Sequence, residues 1–144
     1  MKIFCILAVI SVIFLGLYLL WLHIKRLYRE FDRRETLKEE TEKQKELIKG
    51  AMSYIRNHYN NDFDSTPYTN IKTKVDFLKP IIENKSDEKK LFYYKRLYES
   101  LYESVYRLKT SYDNVAEIVK PLNTLTTEIV EDHIDYIKEN AGIL

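Results

Sequence analysis

Three observations predict an all-α membrane-anchored protein. Residues Ile3 to Leu22 read IFCILAVISVIFLGLYLLWL without a charge. The rest of the chain is dense in Lys, Glu and Leu but poor in Gly and Pro. Apolar side chains then recur three and four apart over more than four heptads. Together they predict an N-terminal transmembrane helix that continues into a stalk and an antiparallel helical bundle with one long coiled-coil-like helix. The expected divisions are a transmembrane anchor over 1–24, a basic juxtamembrane and charged helical stalk over 25–46, and a helical bundle over 47–144.

The first element follows from length. At about 1.5 Å of rise per residue, the apolar run spans roughly 30 Å, the thickness of a bilayer's hydrocarbon core. A cleaved signal peptide has a shorter apolar run ending in small residues. Here Leu17 to Leu22 are bulky, and cleavage after Gly16 would place Phe14 in a pocket built for small side chains. A retained signal-anchor is the expectation. Tyr18 and Trp21, followed by His23 and Tyr28, gather where the segment leaves the apolar layer, the depth at which rings with a polar edge are favoured. No Gly-xxx-Gly pair marks a close-packing face. Cys5 is the only cysteine, too few for an internal disulfide, and no metal-ligand pattern surrounds it.

Flanking charge sets the expected orientation. Only Lys2 and the amino group precede the segment, whereas Lys25, Arg26, Arg29, Arg33 and Arg34 follow it. The heavier basic flank belongs in the cytoplasm. This predicts the amino terminus outside and the body inside, with the basic flank drawn to anionic lipid. Apart from Lys2 the basic and acidic residues balance at 22 each. A neutral body argues against broad nucleic-acid binding, which needs a basic face to displace counterions. The acidic charge is concentrated late: residues 113–144 hold seven acidic and two basic side chains. That end would be solvated, or offered to a basic partner.

The first helix is expected to run without a break to about Tyr59. Lys38 to Glu46 is polar on every face and reads as a spacer held by pairs such as Glu39 with Lys43. Apolar spacing resumes at Leu47, Ile48, Ala51, Met52, Ile55 and Tyr59, with Gly50 a possible kink. Asn60 to Pro67 reads as a loop. Its Asp62-x-Asp64 spacing does not make a calcium loop, because Pro67 stands where glycine is needed and no glutamate stands at position twelve. A short helix follows from about Asn70 to Glu83, with Pro80 expected to bend or restart it. Ser86 is the expected cap of the next helix, with Asp87 and Glu88 complementing its dipole.

Beyond Ser86 the heptad seam picks out Leu91, Tyr94, Tyr98, Leu101, Val105, Leu108, Tyr112, Val115, Val119 and Leu122. Leu97, Tyr102, Ile118 and Leu125 widen the apolar face, which favours an intramolecular bundle over a two-stranded coil, with self-association second. Pro121 reads as a helix boundary. A last helix to about Glu139 is expected to bury Leu122, Leu125, Ile129, Val130, Ile134 and Ile137. His133 falls on or beside that face without a second His or Cys one turn away, so it is not read as a ligand.

No nucleophile with a base, paired carboxylates in an apolar setting or glycine-rich phosphate loop is present, so an enzyme is not expected, and neither is a cofactor or metal. Tyr98, Tyr102 and Tyr106 form a row four apart, suited to a bundle rim or to a protein partner's surface. Asn84-Lys85-Ser86 is a formal glycosylation sequon that a cytoplasmic body would never present to the transferase. The partners implied are the lipid bilayer and a protein, with homo-oligomers possible and nucleic acid not expected. Three roles fit this architecture. The first is a non-enzymatic interaction module or tether at the membrane. The second is a small phage- or plasmid-type envelope factor for lysis, exclusion or immunity, acting through anchor oligomers. The third is a membrane-bound bundle that senses a ligand.

Overall fold

The computed structural model describes residues 1–60, 66–110 and 114–142. Four helices and no strands occur among them: α1 (Lys2–Asn60), α2 (Thr66–Glu83), α3 (Asp87–Lys109) and α4 (Val115–Asn140). The chain divides into two compact units, residues 1–38 and 39–144. The segment 25–46, expected as a stalk, is therefore shared between them.

In the first unit almost every side chain is exposed, including the whole apolar run. This is the one helix of the described residues that is long and apolar enough to cross a membrane. Its only hydroxyl before Tyr18, that of Ser11, donates to the Leu7 carbonyl at 2.9 Å, so the run presents no unsatisfied side-chain hydroxyl there.

The second unit is a four-helix bundle, and each helix contributes one stripe at spacings of three and four. Ile48, Ala51, Ile55 and Tyr59 of α1 and Ile71, Val75, Leu78 and Ile82 of α2 belong to one core. Tyr94, Leu97, Leu101, Val105 and Leu108 of α3 meet Ile118, Leu122, Leu125 and Ile129 of α4. Seven-residue repetition within every stripe keeps the apolar seam on one side of its helix, the requirement for near-antiparallel packing. The polar run 39–46 joins this unit: Thr41 is buried, and Lys45 reaches Glu83 at 3.0 Å. Ser104 is the buried polar member of the core. Its hydroxyl lies 3.0 Å from the Ser100 carbonyl and 2.9 Å from that of Ile118, which ties α3 to α4 where a larger side chain would hold them apart.

Several expected boundaries move. Helix α2 starts at Thr66, with Pro67 in its first turn, where a missing N–H removes no helical bond. Pro80 does not interrupt it, and α2 continues through it to Glu83. Ser86 occupies the N-cap position of α3, but its side chain makes no capping bond. The continuous seam is cut between Lys109 and Val115. Thr110 closes α3 through its N–H to the Tyr106 and Arg107 carbonyls, and Asn114 opens α4 by accepting from the Ala116 N–H at 3.2 Å. Asp62, Asp64 and Tyr112 lie outside the described residues.

Pro121 is not a boundary either, because α4 runs through it. A proline there leaves the carbonyl four residues earlier, that of Glu117, without its helical donor. The Arg107 guanidinium supplies one at 2.9 Å, while also pairing with the Glu117 carboxylate at 2.8 Å and with Glu103 at 2.7 Å. Within the seam, Tyr98 and Val119 pack only at the edge of the core, while Leu97 and Ile118 are fully buried. Val130, Ile134 and Ile137 are exposed, contrary to expectation. Asp132 meets Lys85 and Lys89 where α2 ends and α3 begins, so Ile134 and Ile137 beyond it have neither helix to pack against.

Candidate functional site

Residues singled out at the apolar segment's end form one stack. Tyr18, Trp21 and Lys25 are three and four apart and share a helix face. The Tyr18 and Trp21 rings lie 6.2 Å apart at 26°, and the Lys25 ammonium sits 4.8 Å above the Trp21 ring. An indole flanked by a phenol and a cation suits the headgroup layer, where apolar faces meet water and phosphate. Of the neighbouring arginines, Arg34 bonds Glu30 at 3.2 Å. Arg26, Arg29 and Arg33 continue the basic face at spacings of three and four.

The tyrosine row divides. Tyr98 is half-buried at the core's edge, whereas Tyr102 and Tyr106 are exposed at 58% and 59%. Tyr98 and Tyr102 contact each other with ring centres 6.2 Å apart, and Tyr106 continues the stripe one turn on. Phe92, also exposed, packs edge-on against Tyr93 and beneath the Arg96 guanidinium. Arg96 in turn pairs with Glu128.

Two carboxylates organise the bundle end formed by residues 39–45, 82–94 and 128–132. Asp132 accepts from Lys85 at 3.0 Å, Lys89 at 3.2 Å and the Tyr93 hydroxyl at 2.9 Å. Lys85 beside it leaves only 8% of its side chain exposed. The Lys85 bond, with help from Tyr93 and Lys89, holds the Asp132 carboxyl down at about 2. Burial and the bond to Asp132 push the Tyr93 phenol up to about 12. Glu83 accepts from the Tyr94 hydroxyl at 2.5 Å and from Lys45 at 3.0 Å, and these bonds hold it at about 2. The Tyr94 phenol is pushed well above its ordinary value by burial and by Glu83, and Lys45 is raised by its Glu83 bond. Low carboxyls and high phenols keep both hubs in one protonation state through the neutral range. That suits clamps rather than proton carriers.

Sequence reasoning missed both hubs. A signal for one was present: Asp132 lies seven residues beyond Leu125 on the buried stripe, so a charge there required partners. Among the described residues no group of three His, Cys, Asp or Glu side chains could hold a metal ion, and His133 is exposed. Compared with protein-family models, curated proteins and solved structures, the chain matches none.

Proposed function

We propose that the protein is a single-pass, membrane-tethered interaction module, non-enzymatic, in which the helical bundle binds another protein beside the bilayer. The observation that carries this reading is the contrast between two units of one chain. One is a fully exposed, uncharged helical run ended by the Tyr18–Trp21–Lys25 stack; the other is a bundle with its own core. A helix exposing that much apolar surface is stable in water only if lipid or protein covers it. The basic flank from Lys25 to Arg34 favours a cytoplasmic bundle with the amino terminus outside. Tyr102 and Tyr106 are its favoured contact surface, since aromatic side chains with wet hydroxyls are enriched at protein interfaces.

The test places a photo-crosslinking side chain at Tyr102 or Tyr106 of the full chain in its membrane. A discrete heterologous adduct is expected, and it should persist when residues 1–24 are exchanged for an unrelated transmembrane helix. No adduct from either position, or adducts formed only between anchors of two copies, would overturn the reading.

A further inference from the structure

Between α1 and α2 the bundle carries a cleft of about 550 Å³, within the range of small-molecule sites. Its floor is apolar, made by Ile48, Met52, Val75 and Tyr68, and its rim is basic: among the described residues Lys45, Lys49, Arg56, Lys72 and Lys79 line it against Asp76 and Glu83. That bias is local, because the chain as a whole is close to neutral. The stripes explain how it arises. Lys49 and Arg56 are seven residues apart on α1, and Lys72 and Lys79 are seven apart on α2, so each pair lines one side. The Lys45–Glu83 pair bridges the two helices, which line the cleft with Lys49 and Arg56 from α1 and Lys72 and Lys79 from α2. It also closes one end of the cleft, together with the Tyr94 hydroxyl on Glu83.

Both carboxylates of the rim are already engaged: Asp76 with Lys72 at 2.6 Å, and Glu83 with Lys45 and Tyr94. Lys49 is matched by Glu46 at 2.8 Å. Arg56 and Lys79 have no carboxylate partner among the described residues. An apolar floor beneath uncommitted cations matches an acidic head on a hydrocarbon tail. A neutral apolar ligand would leave the cations unused, and a bare anion would leave the floor in water.

We infer that this cleft binds a single-chain acidic amphiphile of the fatty-acid class. Its carboxylate pairs with Arg56, the cation without a carboxylate partner at the end of the cleft away from the Lys45–Glu83 closure. Its chain runs over Met52, Val75 and Ile48 toward the Lys45–Glu83 closure. The cleft has room for one chain and not for the two of a membrane phospholipid.

The full chain, held in nanodiscs of zwitterionic lipid, is titrated with dansyl-undecanoic acid, whose emission rises on entering an apolar site. Saturable binding of one probe per chain above the empty-nanodisc background is expected. Palmitate should displace it, and lysophosphatidylcholine and inorganic phosphate should not. Arg56→Glu reverses an exposed charge and leaves the core untouched, so it should weaken binding at least tenfold with unchanged thermal unfolding. Met52→Trp should fill the cleft and abolish the signal. If that variant fails to fold, Arg56→Glu alone decides. Binding no different from background, or unchanged by Arg56→Glu, would overturn the inference. Displacement by phosphate would mean a plain anion patch, and displacement by lysophosphatidylcholine a site blind to charge; either overturns it. Displacement by a peptide of residues 128–142, with palmitate inert, would instead identify an acidic helix as the occupant.

Discussion

Leu101→Asp should abolish cooperative folding of the bundle. Leu101 is fully buried in the middle of α3, among the stripes of the other helices. Its side chain touches no water, and no cation of the two polar hubs sits at that level. A carboxylate placed there either takes up a proton or opens the core. The lost burial adds about 2–3 kcal/mol to a desolvation cost of several more, against a total stability of about 5–15 kcal/mol. Fragment 25–144 carrying the change should lose its cooperative melting transition by circular dichroism and become protease-sensitive. A folded monomer where the parent is a dimer would mean that the α3 stripe is a self-association surface. A folded fragment of unchanged mass would mean that the stripe is not a core at all.

The second large effect is expected at Asp132. Replacing it with alanine leaves Lys85, nearly buried, without its carboxylate and leaves the Tyr93 hydroxyl without its acceptor. Breaking such a pair costs about 2–4 kcal/mol, less than for a fully buried one because Asp132 itself keeps 28% of its side chain exposed. Adding Lys85→Met to the alanine variant should recover much of the loss, since an apolar side chain there needs no partner. Asp132 and Glu83 also predict acid sensitivity. Both are held at about 2 in the folded protein, below ordinary values of 3.8 and 4.5. Between those limits the unfolded chain binds more protons than the native one, so stability falls as the pH is lowered through the window. Urea midpoints of fragment 25–144 should be steady from pH 7 to 5 and drop from pH 4.5 toward 2. Asp132→Ala should flatten that drop, and an equal slope in parent and variant would contradict the assignment.

Much of this architecture is legible in the residues. The uncharged run specifies its own helix because no tertiary partner is needed to recognise length and absence of charge. The stripes of α2 and the first half of α4 follow from three-and-four spacing, and Ile71, Val75, Leu78 and Ile82 lie where that spacing puts them. The seam from Leu91 to Leu122 shows where periodicity misleads. Two amphipathic helices joined by a connection that preserves the register look like one, and only the local bonds of Thr110 and Asn114 reveal the break. Pro121 misleads in the opposite sense, because the donor that makes it tolerable, Arg107, comes from another helix. Ile134 and Ile137 keep the helical spacing beyond the point where α2 and α3 stop, and amphipathicity alone cannot tell a buried stripe from a projecting one. The basic cleft is invisible in sequence for the same reason. Arg56 and Lys79 are ordinary surface cations until two helices are paired.

In the proposed reading the first helix spans the bilayer and the folded bundle lies outside the lipid. This reading is tested most directly by fractionating cells that express the full chain, washing the membranes at alkaline pH, and weighing the protein by intact mass spectrometry. The expected product is a chain of 17.3 kDa, residues 1–144 uncut, retained in the washed membrane pellet. A soluble product lacking the apolar run, or a full-length chain released by the wash, would contradict it.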